Sequence, residues 1–371
     1  RNILLVGHGG GRQMFGAERC LLDVLRGLGE LGANVVVALP EAENQDYLDA
    51  LRRHAHWIFA FPYGWWRRGR PPAEGAVANF RQLLRRFEVD LLYANSAVLW
   101  EPLLAARLSS VPTRVHVHEL PEHDPDLCAA LEADAEALRQ HVLSLATRLV
   151  ATSAAVAHWL DATERTVIVP NTLDFAHFAM PPRPENSDFQ VAMISSNIPK
   201  KGVWDFAALA HHLFRPGDRR IDCLLVGPHN GHVAALKQAQ ASGRVPGNLR
   251  FYGMAPDPLA ALAQADVVVN LSRFQESFGR VVLEAMAARR PVVCYAWGAL
   301  PELVVDKETG FLVPYGDVHA AAECVRALSR DPALRRSMGE AGRARAMEVA
   351  GWPVFLERLQ CSINSHHPFQ D

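Results

Sequence analysis

The chain has 371 residues, of which 49% are apolar and 21% are charged, and its formal net charge is −2 at pH 7. This length exceeds one typical hydrophobic core and fits two domains of a globular protein. The near-neutral charge excludes the general attraction to nucleic acid that a strongly basic chain would have.

The first half alternates short apolar strands with amphipathic helices, the pattern of a doubly wound α/β domain. Asn2–Val6 predicts a strand, Gly7–Gly11 a glycine-rich loop, and Ala17–Leu31 a helix that ends at Gly32. Arg12 stands at the last glycine position of G-x-G-x-x-G, so the dinucleotide fingerprint is not met. Further strands are predicted at Val35–Leu39, Leu91–Tyr93, Val115–His118, Leu149–Thr152 and Val167–Val169.

A proline-rich change of composition around Phe178–Asp188 predicts a linker. We therefore predict one domain over 1–183, a second over 188–350, and a final segment, 351–371, with a helix at Gly351–Leu359. In such domains, ligands bind at the carboxyl ends of the strands. Strands of the second domain are predicted at Val191–Ser195, Ile221–Val226, Leu249–Tyr252, Val267–Leu271, Val292–Tyr295 and Phe311–Val313.

Two carboxylates, Glu276 and Glu284, stand eight residues apart in the most informative segment. Glu276 precedes a predicted helix, Gly279 marks its entrance, and Glu284 lies inside it. Eight helical residues span roughly 12 Å, and the helix N-terminus between the carboxylates suits phosphate. A nucleotide-diphosphate sugar presents sugar hydroxyls, diphosphate and ribose hydroxyls in the matching order. The alternative is an amphipathic helix with incidental acids.

This segment resembles the donor-site signature of retaining GT-B glycosyltransferases of family 4, the group 1 glycosyltransferases. The family pattern is a Glu, seven residues, a second Glu, Ala-Met-Ala, a basic residue and Pro-Val-Val. The resemblance covers most of the second half and is patchier in the first. The matching segments are Glu276, Glu284–Ala287, Arg290–Val293, Gly298–Glu302, Thr309–Pro314, Gly16–Glu18, Val150–Ser153 and Val169–Asp174.

The resemblance implies an α/β fold of the GT-B type, with two Rossmann-like doubly wound domains facing a central crevice. The first domain would bind the acceptor, the second would bind the nucleotide sugar, and the C-terminal helix would cross back to the first. The implied chemistry retains the anomeric configuration by front-face substitution. The leaving phosphate takes the acceptor proton, so no separate catalytic base is required.

The resemblance also assigns roles to individual residues. Glu276 would bind the sugar hydroxyls, Glu284 the ribose, and Lys201 the diphosphate together with the amides of Ser277–Gly279. His118, at a strand end, would bind a sugar hydroxyl, with a packed histidine as the alternative. The implied catalytic residues are His118, Lys201 and Glu276, and the implied donor-binding residues are Gly16, Lys201, Glu276, Ser277, Phe278, Gly279 and Glu284.

One position departs from the family pattern. The family usually places an arginine about five residues before the lysine that Lys201 matches, whereas this chain has Ser195–Asn197 there. Three substitutes are open at this point, Lys200, Arg273 and Arg280, and the alternative is a site with fewer positive charges.

We expect no metal site and no cofactor besides the donor substrate. The only Asp-x-Asp triplet is Asp124-Pro-Asp126, which is predicted to begin a helix. The implied partners are a nucleotide sugar and a glycan or lipid-linked acceptor of polysaccharide biosynthesis, with no nucleic acid. Aromatic and basic residues in Trp65–Arg70, followed by Arg81, Arg85 and Arg86, suggest peripheral membrane contact, with a solvated helix face as the alternative.

The cysteine pattern predicts a cytoplasmic protein, with contact at the inner membrane face as an additional hypothesis. The six cysteines show no C-x-x-C pair, no run of about 18 apolar residues predicts a span, and no secretory signal is visible. The chain begins at Arg1 without Met, so a lost leader or a longer parent protein stays open.

Two other functions stay open. A GT-B epimerase would convert a sugar nucleotide without an acceptor. An inactive sugar-nucleotide-binding module of a larger assembly would bind the donor without turnover. A phosphorylase would need pyridoxal phosphate on a lysine, and none of the lysines stands in a fitting context.

Overall fold

The computed structural model describes residues 1–11, 14, 16–181, 183, 188–214 and 221–364. They form two compact units, residues 1–172 with the C-terminal segment from Trp352, and Leu173–Gly351. The boundary differs from the predicted one at residue 183, because Leu173, Phe175 and Phe178 are buried in the core of the second unit. Residues 182 and 184–187 of the predicted linker lie outside the described part.

The first unit contains a parallel sheet with the order β3-β2-β1-β4-β5-β6-β7. Its described strands are β1 Asn2–Val6, β2 Asn34–Leu39, β3 Trp57–Ala60, β4 Leu91–Ala94, β5 Thr113–Val117, β6 Arg148–Ala151 and β7 Thr166–Ile168. The helices along this part of the chain are α1 Gly16–Glu30, α2 Gln45–Arg52, α3 Glu74–Arg86, α4 Glu101–Leu108, α5 Pro125–Leu131, α6 Ala135–Leu145 and α7 Ala154–Leu160.

The second unit contains a parallel sheet with the order β10-β9-β8-β11-β12-β13. Its described strands are β8 Phe189–Ile194, β9 Ile221–Val226, β10 Leu249–Gly253, β11 Val267–Asn270, β12 Val292–Tyr295 and β13 Phe311–Val313. The helices are α8 Val203–Leu213, α9 Gly231–Ala241, α10 Pro258–Ala263, α11 Arg280–Ala287, α12 Leu300–Leu303, α13 Val318–Arg330 and α14 Pro332–Ala350.

Both faces of each sheet are covered, which explains the nearly continuous apolar strands. In β1, Ile3 and Leu5 pack into one core while Leu4 and Val6 pack into the other. The strands of the second unit divide between two cores in the same way. This arrangement confirms the predicted α/β class with two doubly wound domains.

Each sheet has a switch point, where successive strands are added on opposite sides. It lies between β1 and β4 in the first unit and between β8 and β11 in the second. The loops that follow two such strands leave in opposite directions, so an opening forms at the carboxyl ends of the strands. Residues directly after β8 and β11 are therefore well placed for ligand binding.

The C-terminal helix, α15, spans Trp352–Asn364, longer than the predicted Gly351–Leu359, and packs against α1. A Cβ atom at Gly27 of α1 would lie 2.7 Å from Leu359, so glycine permits this close approach. Arg114 donates a 2.6 Å hydrogen bond to the carbonyl of Ser362 and thereby satisfies a helix-terminal acceptor. No helix of the described residues is long and apolar enough to cross a membrane.

Candidate functional site

Lys201 lies in the connection between β8 and α8, in a single 3₁₀ turn, Pro199–Lys201, that leads into α8. Gly202 follows with φ of +80° and forms the N-cap of α8. A Cβ atom at Gly202 would overlap the carbonyl oxygen of Leu271, the residue that follows β11. Glycine at this position therefore allows the lysine turn to pack directly against the loop that carries Glu276.

We expect Gly202→Ala to destabilise the chain more than Gly243→Ala, which provides a matched control. Both glycines have positive φ, but a Cβ atom at Gly243 would meet no atom within 4 Å. The left-handed backbone alone costs about 1–2 kcal/mol, and overlap with Leu271 should bring the loss for Gly202→Ala to roughly 3–4 kcal/mol. Urea unfolding of both variants measures the difference. Equal midpoints would show that the turn does not need this close packing.

Glu276 accepts three hydrogen bonds on one carboxylate oxygen, Oε1. Lys201 Nζ donates at 2.9 Å, Ser272 Oγ at 2.6 Å and Asn270 Nδ2 at 3.4 Å. The glutamate side chain is 13% exposed and the lysine side chain 26% exposed. The structure thus brings together, as an ion pair, two predicted catalytic residues that stand 75 positions apart.

The environment of Glu276 lowers the pKa of its carboxyl group. Burial is the strongest single influence and would raise the pKa. The positive charge of Lys201 and the hydrogen bonds to the carboxylate act in the opposite direction and outweigh burial. Glu276 is therefore an ionised hydrogen-bond acceptor at neutral pH, suited to sugar hydroxyls and unsuited to act as a general acid.

The loop between β11 and α11 is fixed to the lysine turn and to α8. Arg273 N–H donates to the carbonyl of Lys200 at 2.8 Å. Its guanidinium Nε contacts both carboxylate oxygens of the buried Asp205, at 3.0 and 3.1 Å. Tyr295 also donates to Asp205, at 2.8 Å. These contacts fix the first half of the Glu276 loop.

The N-terminus of α11 begins directly after the Glu276 loop. Gly279 is the N-cap residue with φ of +91°, and a Cβ atom there would lie 2.5 Å from Leu300. Because glycine has no side chain to cap the helix, an anion can take that place. Phe278 is 5% exposed and belongs to the hydrophobic core. Any contribution of Phe278 to donor binding must therefore come from its backbone.

Glu284 lies in the second turn of α11 and is only 4% exposed. Arg280, one turn earlier, approaches its Oε1 with Nε at 3.4 Å. Arg280 thus forms an ion pair inside the helix, and Arg273 is held by Asp205. Of the three open substitutes for the family arginine, Lys200 remains the one whose amino group, like that of Lys201, contacts the Phe274 ring.

His118 lies immediately after β5 in the first unit, not in the strand as predicted. Its Nε2 is 3.0 Å from Oδ1 of the buried Asn95, which follows β4. Its backbone N–H donates to Glu119 at 2.9 Å. His116, directly inside the strand, is buried, and burial lowers its pKa to about 3, so it is a neutral packing residue. The two imidazole rings lie against each other, with centroids 4.2 Å apart, and the role of His118 toward a sugar hydroxyl stays a prediction.

Gly16 forms the start of α1 and is exposed. Its neighbours Arg12, Gln13 and Phe15 lie outside the described residues. The preceding glycine loop is nevertheless anchored, because the hydroxyl of Tyr63 lies 2.6 Å from the carbonyl of Gly7. A glycine at the exposed start of α1 is compatible with the predicted donor contact, which stays a prediction.

The aromatic and basic segment of the first unit is largely neutralised by nearby acids. Arg67 lies 3.7 Å from Glu132, and Arg68 lies 3.9 Å from Asp134. Trp66 stacks on His141 with ring centroids 4.3 Å apart and is buried. These contacts give Arg67, Arg68 and Trp66 structural partners, and the membrane contact predicted for this segment together with Arg81, Arg85 and Arg86 stays a prediction.

The Asp-x-Asp triplet is used structurally. Asp124 accepts a hydrogen bond from Leu127 N–H at 3.1 Å as the N-cap of α5. Within the described part of the chain, no group of three or more His, Cys, Asp or Glu residues is arranged to hold a metal ion.

Comparison with known proteins identifies the family of the chain. The model of "Glycosyltransferase Family 4" matches residues 15–177, and the model of "Glycosyl transferases group 1" matches residues 179–345. D-inositol 3-phosphate glycosyltransferase of Corynebacterium diphtheriae is 33% identical over 157 residues, 41% of this chain and 36% of that protein. Phosphatidyl-myo-inositol mannosyltransferase of Mycobacterium leprae is 39% identical over 141 residues, 38% of this chain and 36% of that protein. The chain thus spans about a third of the length of these relatives.

Solved structures share the fold over nearly the whole chain. Anabaena Alr3699/HepE, in complex with UDP and glucose, has a TM-score of 0.81 at 22% identity and covers 98% of this chain and 99% of its own. S. aureus TarM has a TM-score of 0.79 at 12% identity, and the match covers 98% of this chain and 99% of TarM. The two family models follow one another along the chain; the first covers β2 to β7 of the first unit, and the second covers the six strands of the second unit. The chain therefore belongs to the group 1 glycosyltransferases, or glycosyltransferase family 4, and has the GT-B fold.

Proposed function

We propose that this chain transfers a sugar from a nucleotide-diphosphate sugar to a glycan or lipid-linked acceptor, with retention of the anomeric configuration. The observation that carries this proposal is the Lys201–Glu276 ion pair at the switch point of the second sheet, directly before the N-terminus of α11. This part of the chain provides a carboxylate that accepts hydrogen bonds from hydroxyl groups and a cation, on two adjoining loops. The helix N-terminus that follows can bind an anion.

The proposed roles follow from the charges. The sugar hydroxyls donate to the ionised carboxylate of Glu276, and the diphosphate accepts from the amides of Ser277–Gly279 and from Lys201. As the bond between the anomeric carbon and the phosphate oxygen breaks, negative charge grows on the diphosphate. A fixed cation there stabilises the transition state more than the bound substrate. The acceptor oxygen bonds the same face of the anomeric carbon, and the leaving phosphate takes its proton.

Glu284 and His118 are assigned to binding. A carboxylate can accept hydrogen bonds from the ribose hydroxyls, which do not change during the reaction. The imidazole of His118, held by Asn95, can bond a sugar hydroxyl. We assign the second unit to the donor and the first unit to the acceptor, and we assign His118 and Gly16 of the first unit to contacts with the donor.

UDP-sugars are the first donors to test, because HepE is described in complexes with UDP and with UDP-glucose. The relatives include inositol-phosphate and phosphatidylinositol glycosyltransferases, so phosphorylated polyols and lipid-linked acceptors belong in the acceptor panel. These relatives support sugar transfer as the class of reaction for this chain.

Nucleoside-diphosphate release from UDP-, GDP- and TDP-sugars, with and without the acceptor panel, tests the proposal. We expect release that requires an acceptor. Glu276→Gln should lower it about 100-fold or more. Glu340→Gln is the matched control, because Glu340 also pairs with an arginine, Arg289, at 2.7 Å but is 65% exposed. A changed sugar that stays attached to its nucleotide would instead indicate an epimerase. Saturable donor binding without any turnover would indicate an inactive module.

We expect full activity after exhaustive chelation of divalent metals. In the proposed site, Lys201 and the N-terminus of α11 supply the positive charge that Mg²⁺ supplies to the diphosphate in other transferases. Initial rates before and after EDTA treatment and desalting provide the measurement. A loss of activity that added Mg²⁺ or Mn²⁺ restores would contradict this expectation.

A further inference from the structure

The aromatic ring of Phe274, in the loop between β11 and α11, lies beside both amino groups of the lysine turn. Lys201 Nζ is 4.5 Å from the ring centroid and Lys200 Nζ is 4.9 Å from it. A cation at this distance from an aromatic face is attracted by the ring quadrupole. The ring therefore restrains the same ammonium group that pairs with Glu276.

Trp297, in the loop after β12, fixes the peptide that carries this ring. Its indole N–H donates to the carbonyl of Phe274 at 2.8 Å, and its ring stacks on Tyr315 at 4.2 Å with planes 17° apart. The indole is thus held on its face by a second ring and at its edge by the hydrogen bond. Two rigid contacts fix the position of the Phe274 peptide.

The residues next to Trp297 hold the other end of the same loop. Ala299 N–H donates to the carbonyl of Glu276 at 2.9 Å. A Cβ atom at Gly298, which has φ of +62°, would lie 2.7 Å from the oxygen and 2.8 Å from the nitrogen of Glu276. The loop after β12 therefore contacts the backbone of both Phe274 and Glu276.

We propose that Trp297 is a positioning residue for the Lys201–Glu276 pair and acts through Phe274. This inference rests on the function proposed above. Without the indole hydrogen bond, the Phe274 peptide can turn, and the ring beside Lys201 moves with it. A displacement of about 1 Å at a reacting group can lower the rate 10²-fold. Contacts to parts of the donor that do not react stay as they are, so turnover falls while donor affinity is kept.

Trp297→Phe tests this inference, because it keeps an aromatic ring for stacking while removing the N–H donor. We expect kcat to fall about 5- to 20-fold, with the donor KM within about twofold of the wild type. Trp352→Phe is the matched control, since its indole donates a bond of the same length, 2.8 Å, to Glu30 in the first unit. It should keep the wild-type kcat. Tyr315→Leu removes the stacking partner of Trp297 and should also lower kcat. It replaces Trp297→Phe as the test if that variant does not fold.

A double-mutant cycle with Lys201→Ala separates positioning from general structural damage. If Trp297 acts through the lysine, Trp297→Phe should change kcat less than twofold in the Lys201→Ala background. The inference is overturned if Trp297→Phe lowers kcat as much in the Lys201→Ala background as in the wild type. It is also overturned if the single variants Trp297→Phe and Tyr315→Leu both keep the wild-type kcat. If Lys201→Ala itself turns over at the wild-type rate, the failure lies with the proposed function instead.

Discussion

Lys201→Ala should reduce kcat by roughly 10²–10³, equivalent to about 2.7–4 kcal/mol of transition-state stabilisation. Lys201 contacts Glu276 at 2.9 Å and lies beside the Phe274 ring, so its amino group has a fixed position before substrate binds. A preorganised cation acts most strongly where charge grows, which is on the departing diphosphate. The donor KM should change much less. Steady-state kinetics with the donor varied at saturating acceptor gives both constants.

Compensation by Arg273 and Arg280 should be small. Arg273 is held by the carboxylate of Asp205 and Arg280 by that of Glu284. Lys307→Ala is the control, because this lysine is exposed and plays no part in the site. A wild-type kcat for Lys201→Ala, with folding verified by a thermal melt, would mean that the diphosphate is bound elsewhere.

Glu284→Gln should raise the donor KM about 10- to 100-fold and change kcat less than about threefold. Hydrogen bonds to a charged group contribute about 1.5–3 kcal/mol, and the ribose is chemically unchanged in the reaction, so the loss falls on binding. Thermal shift with the free nucleoside diphosphate measures the same loss without catalysis. Glu340→Gln, an exposed arginine-paired carboxylate, provides the control.

The opposite partition would revise the role of Glu284. A drop in kcat with an unchanged KM would show that this carboxylate acts on the reacting bond. Comparing Lys201→Ala with Glu284→Gln thus distinguishes a residue that determines kcat from one that determines the donor KM.

Strands buried on both faces were predictable from the sequence. β1, β9 and β12 begin and end at the predicted residues, because apolar runs bounded by polar or turn residues mark them. β13, a half-buried edge strand, also begins and ends as predicted. β3, Trp57–Ala60, was not predicted, although its four residues are apolar; it is an edge strand whose residues are half-buried or exposed. The order of the strands in each sheet could not be predicted from the hydrophobic periodicity either, since it depends on which connections cross the sheet.

The candidate site was predictable where a local pattern encodes it. Glu276, Gly279 and Glu284 occupy the expected places around α11. The partner of Arg273 was not predictable, because Asp205 stands 68 positions away and is brought close only by the packing of α8. Trp297 carried no local signal either, since its contact with Phe274 joins loops that follow two different strands.

Proton NMR of the freshly formed product shows the anomeric configuration of the new linkage. With an α-linked nucleotide sugar as donor, we expect an α-linkage between the transferred sugar and the acceptor and one nucleoside diphosphate released per linkage. Lys201→Ala should slow both together. A β-linked product would contradict the retaining mechanism. An altered sugar still joined to its nucleotide, with no new linkage formed, would contradict the transfer itself.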